Sequence, residues 1–118
     1  MNMAIYEIKK SKFISFLFDI NKKEDIKSLY EHLKKQHPKA KHIVYAYLLH
    51  QDNVISGGYS DDKEPKGVAG IPLFKLLENK NIQNKAIFIV RYFGGIELGK
   101  SNLLRAYLHT AKLVLNEV

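Results

Sequence analysis

The stretch Ala86–Asn116, AIFIVRYFGGIELGKSNLLRAYLHTAKLVLN, decides the fold. It opens on AIFIVRY, Ala86–Tyr92, a run of branched and aromatic residues that suits a strand buried on both faces. Gly94, Gly95 and Gly99 break the chain next, and Ser101 is placed to cap a helix running to about Asn116. Leu104, Leu108, Ala111 and Leu115 recur at helical spacing, with Leu103, Tyr107 and Val114 widening the stripe into a broad buried face. A buried strand followed by an amphipathic helix marks a sheet covered by helices.

The rest of the chain fits around that unit. Tyr6 and Ile8 alternate with Glu7 and Lys9 as a first strand, interrupted by Ser11 and Lys12, and Phe13–Phe18 reads as a second. The same residues also fit one long bent strand. Of the second segment's faces, Ile14, Phe16 and Phe18 are expected toward the core. Asn21 and Glu24 have capping-box spacing ahead of Ile26, Leu29, Tyr30 and Leu33, so a helix is expected to end before Pro38. Ile43–Leu49 reads as a central strand, Asn53 as a turn, and Val54–Tyr59 as a returning strand interrupted at Gly57 and Gly58. A second helix starts near Val68, with Pro72 in its first turn and Leu73, Leu76 and Leu77 on its buried side. The expected order is β-β-α-β-β-α-β-α, in one α/β (α+β) domain covering residues 1–118. It is a two-layer domain whose mixed, mostly antiparallel sheet packs against helices.

Composition limits the chemistry. With 118 residues, 46% hydrophobic and 26% charged, the chain suits a single globular domain with a real core. It has no cysteine, so disulfide scaffolds, thiolate metal sites and a cysteine nucleophile are ruled out for it. The net charge of +7 is spread along the sequence, and 17 of the 19 basic residues are lysines, Arg91 and Arg105 being the exceptions. Such charge attracts polyanions, RNA among them, and also simply favours solubility. Residues 1–10 lack the apolar run of a signal peptide. The longest apolar run, Ile43–Leu49, is seven residues, where a bilayer span needs about twenty. The expectation is a cytoplasmic protein with no membrane partner.

Two segments carry chemical information: SDDKEPKGVAGIP, Ser60–Pro72, and RYFGGIELGKSNLLRAY, Arg91–Tyr107. Asp61, Asp62 and Glu64 are the residue types that bind a hard cation such as Mg²⁺. Equally, one can cap the following helix while another pairs with Arg91 or Arg105. In the second segment Arg91 and Tyr92 lead into Gly94-Gly95, whose backbone N–H groups suit a phosphate, with Lys100 and Arg105 able to grip the same anion. The alternative is a tight turn with an internal Arg–Asp network. Tyr92 or Phe93 can stack on a base or belong to the core. Lys34, Lys35, Lys39 and Lys41, with His37 and His42, form the densest basic stretch. The five histidines are too scattered for a metal site, and no serine sits in a nucleophile elbow.

These segments resemble the YigZ/IMPACT family's N-terminal domain (UPF0029), whose pattern is roughly SDDGEPxGTAGxP followed by RYFGGxxLGxGGLxRAY. Lys10-Ser11-Lys12-Phe13-Ile14 and His42–Tyr47 fit as well, so the resemblance covers nearly the whole chain. The chain departs from the pattern at Lys63 and Val68, which replace glycine and threonine, at Ile43, where cysteine is common, and at Lys100, Ser101 and Asn102. The resemblance implies a fold like the second domain of ribosomal protein S-five and domain IV of elongation factor G. Bacterial members usually carry a second, ferredoxin-like domain, which is absent from this sequence. The family is not firmly tied to a catalytic reaction. The resemblance implies a non-enzymatic, translation-associated module that binds RNA or the ribosome. A protein-binding regulatory domain is the alternative, since eukaryotic relatives regulate the translational response to starvation. A Mg²⁺-dependent phosphoryl or hydrolytic enzyme is a third reading. The expected binding residues are Arg91, Tyr92, Gly94, Gly95, Lys100 and Arg105. The loop residues Ser60, Asp61, Asp62, Glu64, Pro65, Gly67 and Gly70 form the opposite wall, with His42 as an accessory. No metal or cofactor is expected.

Overall fold

The computed structural model describes residues 2–116. Five strands and three helices follow in the expected order: β1 (Asn2–Ile8), β2 (Ser11–Asp19), α1 (Glu24–Gln36), β3 (His42–Gln51), β4 (Val54–Ser60), α2 (Gly70–Asn79), β5 (Lys85–Tyr92) and α3 (Lys100–Leu115). The strands form one sheet in the order β1-β2-β5-β3-β4. β5 therefore lies at its centre, and Ala86–Arg91 are all buried.

The α+β class and the helix-covered sheet hold, with two refinements. Every pairing is antiparallel, so the sheet is not mixed. Helices also cover both faces, giving three layers instead of two. Phe13, Leu17, Val44, Ala46, Ile87 and Ile89 pack under Leu73 and Leu77 of α2 and Leu103, Tyr107 and Val114 of α3. Ile14, Phe16, Ile43, Phe88 and Val90 pack against Ile26 and Leu33 of α1. The middle strands are buried on both sides, so neither face of β2 is the outer one. Ser15, on the α3 side, is accommodated because its hydroxyl donates to the Thr110 carbonyl at 3.0 Å, which satisfies the buried polar group.

Local signals and structure agree unevenly. β1 and β2 are two strands, not one, and the chain reverses at Lys9-Lys10, both at positive φ. Asp52-Asn53 turns β3 into β4 in the same way. Such two-residue turns match the twist of the strands they join. Ser11 and Lys12, expected as a break after the first strand, are the first residues of β2. α1 stops at Gln36, ahead of Pro38, as expected. Its cap runs the other way from the expected one: the Asp25 carboxylate accepts the Asn21 and Lys22 N–H groups, and those bonds lower its pKa. α3 starts at Lys100 with Gly99 (φ 80°) at its N-cap, which puts Ser101 inside the first turn. The buried face of α3 centres on Leu103, Tyr107, Thr110 and Val114, and Leu104 and Leu108 are only partly buried.

Gly57 and Gly58 lie in the body of β4 and do not end it. A Cβ on Gly57 would lie 2.5 Å from the Phe74 ring, and one on Gly58 would lie 2.8 Å from the Tyr47 ring. Each glycine thus lets an aromatic ring lie flat on this edge strand. After β5, Gly94 passes so close to the β1–β2 turn that a Cβ would lie 1.9 Å from the Lys10 carbonyl oxygen.

Candidate functional site

The Ser60–Gly70 loop, between β4 and α2, folds inward around its own acidic groups. Ser60 Oγ accepts the Asp62 N–H at 3.0 Å. Asp61 accepts three backbone N–H groups, from Gly67 (3.2 Å), Ala69 (3.1 Å) and Gly70 (2.7 Å). It thereby caps α2, whose own N-cap residue, Ala69, has no side chain for the task. Asp62 accepts the Ile43 N–H at 2.6 Å and the Tyr30 hydroxyl at 3.1 Å. Lys63, where the family pattern has glycine, sits at φ 69°, in the left-handed region that glycine enters most easily. Gly67 (φ 87°) makes the next reversal, and Gly70 fits where a Cβ would lie 2.7 Å from the Tyr59 ring. Pro65 is exposed, and its carbonyl accepts the Val68 N–H.

Glu64 is the centre of the loop's inner face. It is 6% exposed, and Arg91, on the middle strand, is 2% exposed. Arg91 Nη1 donates to both Glu64 carboxylate oxygens, at 2.9 and 2.8 Å. The fully buried Tyr107 hydroxyl of α3 donates to Glu64 Oε2. Burial, and then the Glu64 charge, push the Tyr107 pKa far up, so the phenol stays a donor. His42 stands beside Arg91 in the β3–β5 register. Its Nδ1 lies 2.7 Å from the Asp62 carbonyl oxygen. A carbonyl can only accept, so Nδ1 carries the proton. The other ring nitrogen, Nε2, lies 3.3 Å from Glu64 Oε1. The Arg91 guanidinium also lies near the Phe13 and Phe93 rings, 5.7 and 5.8 Å from their centroids. This network joins β3, the loop, β5 and α3.

The geometry realises the internal reading of the motif. One acid caps a helix, another pairs with Arg91, and a third fastens the loop to β3 and α1. The expected anion grip changes accordingly. Arg91 is buried and engaged with Glu64 through Nη1, so it is not a surface cation. Tyr92 turns to the α1 side, where its hydroxyl lies 2.6 Å from His37 Nδ1. Gly94 is packed against Lys10, while Gly95 (φ 92°) has open space around it. Lys100 and Arg105 are exposed, but their separation along α3 turns them toward different sides of the helix. Arg105 lines a groove with Tyr6, His109 and Lys112. The three cations therefore do not converge on one anion.

The fold instead gathers charge that the linear sequence scatters. Phe93 is 36% exposed just past β5, and Lys41 Nζ lies 4.3 Å from its ring centroid. Lys10 abuts the neighbouring Gly94, Lys9 shares its turn, and Lys12 pairs with Tyr92 in the β2–β5 register. Glu7 faces Lys12 across the β1–β2 ladder, and Glu97 lies in the same connection as Phe93, so the cluster stays net positive. Of these residues, sequence reading offered Lys41 and Phe93 as possible contacts, and Lys10 and Lys12 only as part of a matching family segment. Tyr107 and Tyr30 were missed as partners of the acidic loop, because nothing in helical spacing shows where a hydroxyl ends. Among the described residues no group of three His, Cys, Asp or Glu side chains is placed to hold a metal ion, and no helix is long and apolar enough to cross a membrane.

Comparison with known proteins gives a consistent picture. The Impact N-terminal domain family matches residues 9–115. The chain is 34% identical over 111 residues to the IMPACT family member YvyE of Bacillus subtilis, covering 94% of this chain and 51% of that protein. It is 38% identical over 105 residues to YigZ of Escherichia coli, covering 88% and 52%. The chain thus spans about half the length of these relatives. Among solved structures, a hypothetical protein superposes with a TM-score of 0.91 at 34% identity, over 98% of this chain and 56% of that one. The two-domain translational regulator Yih1 superposes with a TM-score of 0.59 at 20% identity, over 98% and 45%, a likeness of fold.

Proposed function

Because the chain belongs to the Impact N-terminal domain family, we propose that it is a non-enzymatic, translation-associated module, working in the cytoplasm, whose lysine-rich end contacts RNA or the ribosome. Support for the setting comes from the relative of similar fold described as a translational regulator. The observation that carries the RNA reading is Lys41 over the exposed ring of Phe93, with the Lys9-Lys10 turn packed against the next residue, Gly94, and Lys12 at the start of β2. Lysines neutralise phosphates without reading sequence, and an exposed ring beside them offers a base a stacking surface. Lys100, exposed at the start of α3 just past the Phe93 connection, adds a further positive group. The buried network then has a mechanical role: it fixes the β5 end, and so Phe93, relative to β3 and the loop.

Fluorescence anisotropy with single-stranded and structured RNA at two salt concentrations tests this. Affinity should fall steeply with salt, and both affinity and salt slope should fall in K10E/K41E. Binding indifferent to salt and to that double substitution would remove the reading.

A second reading, a protein-binding regulatory domain, has its own observation. β4 is an edge strand, and Val54 and Ile55 near its start are 62% and 61% exposed. An apolar edge with unpaired backbone groups suits a partner's strand. The Mg²⁺-dependent enzyme is not carried further, since Asp61, Asp62 and Glu64 are all engaged by protein donors.

A further inference from the structure

The α1 face of the sheet holds an open cavity of about 330 Å³ beside the first turns of the helix. Small-molecule sites usually run from roughly 300 to about 1,000 Å³, so this one is at the small end. Tyr30 of α1 and Tyr45 and Tyr47 of β3 line it. The Tyr30 and Tyr45 rings are 6.4 Å apart at 72°, and Tyr45 and Tyr47 are 6.5 Å apart at 36°. Gly58 gives the Tyr47 ring room to lie across β4. Asp62 contributes a carboxylate already oriented by the Ile43 N–H and the Tyr30 hydroxyl. Each of its oxygens makes one such bond and so keeps capacity for another.

The remaining polar groups set the sign of the ligand. Lys23 and Lys27 also line the cavity. They stand one turn apart at the positive end of the α1 dipole. Both are exposed. Asp25 does not oppose them directly, since its carboxylate is turned back onto the Asn21 and Lys22 N–H groups. Three tyrosines and a carboxylate would also suit a quaternary amine. Such a cation would meet both lysines, and Lys34 Nζ already lies over the Tyr30 ring at 5.6 Å. Aromatic walls, an acceptor for ring N–H groups and two ammonium groups together match a planar heterocycle that carries a phosphate.

We propose that this cavity binds a nucleotide, with the base against Tyr30, Tyr45 and Tyr47, a base N–H turned to Asp62, and the phosphate held by Lys23 and Lys27. The site shares no lining residue with the Phe93 surface and does not depend on it. A free mononucleotide and a nucleotide within an RNA strand offer the same chemistry.

The test is a titration of ¹⁵N-labelled protein with AMP, GMP, CMP and UMP, with inorganic phosphate and trimethyllysine as controls. At least one nucleotide should shift the Lys27, Ser60 and Asp62 amides saturably. K23E/K27E, two exposed changes that leave the core intact, should weaken it about tenfold or more with the rest of the spectrum unchanged. A short RNA that displaces the nucleotide from these amides identifies a strand as the source, and failure to displace it identifies the free nucleotide. Three results would overturn the proposal: no saturable shift with any nucleotide, the same shifts with phosphate or trimethyllysine alone, or an affinity unchanged in K23E/K27E. Loss of RNA binding in K10E/K41E with nucleotide binding intact separates this site from the Phe93 surface.

Discussion

Replacing Glu64 by Gln tests the buried network with almost no change of shape. The substitution removes the charge facing Arg91 and leaves a guanidinium that is 2% exposed without a counter-ion. Breaking a buried pair from one side costs about 3–5 kcal/mol, because the remaining charge stays desolvated. Domains of this size are stable by only about 5–15 kcal/mol, so the loss is a large share of the whole. With the usual unfolding entropy per residue, it corresponds to a fall in Tm of about 12–20 °C. Tyr107→Phe, which removes one bond to the charged carboxylate, should cost about 1.5–3 kcal/mol. Replacing both charges with apolar residues, as in E64L/R91M, should recover most of the Glu64→Gln loss, since a well-packed apolar pair often equals or exceeds a buried ion pair. Urea and thermal unfolding followed by circular dichroism would measure all three. A Glu64→Gln loss below about 1 kcal/mol, the scale of an exposed salt bridge, would refute the reasoning.

Other consequences can be checked on the same samples. Asp61→Ala deprives three N–H groups of their acceptor. Losing such a cap should cost about 1 kcal/mol or somewhat more, read as a lower urea midpoint at unchanged m-value. Lys63 is a left-handed residue on an exposed loop. Lys63→Gly relieves it and should raise stability by about 0.5–1 kcal/mol in the same assay. Burial, reinforced by Lys12, lowers the His37 pKa below its ordinary 6.5, so the unfolded chain takes up the proton first as pH falls. Its contribution is complete above about pH 6.5 and is lost as pH drops through the lower folded value. Urea midpoints collected from neutral to mildly acidic pH should show that decline, and His37→Asn should flatten it.

The element order was legible because hydrophobic periodicity reports local structure directly. Ala86–Tyr92 could only be an inner strand, and Pro38 limited α1 wherever that helix began. What escaped depends on tertiary partners. Lys9-Lys10 carries no turn signal, and its reversal is fixed by β2 pairing back onto β1 and by Gly94 fitting against Lys10. The two buried faces of β2 follow from its place beside β5, which spacing along one strand does not encode. The motif loop was the hardest part to assign. Three acids near two arginines look the same in sequence whether they face a ligand or one another. The β3–β5 register, which sets His42 beside Arg91, and the depth of Tyr107 under the loop decide between those readings. The lysines at this end come from two separate parts of the chain, Lys9–Lys12 and Lys41, and no linear pattern joins them to each other or to Phe93.

The most direct test of the account is to map RNA onto ¹⁵N-labelled protein by amide shifts. The account predicts that the shifts concentrate at Lys9–Lys12, at Lys41 and from Phe93 to Lys100. The Glu64 and Tyr107 amides should stay in place, because the motif's charges hold the fold and do not touch the ligand. Shifts centred on Glu64, Arg91 and Tyr107, with the lysine-rich end unmoved, would contradict it.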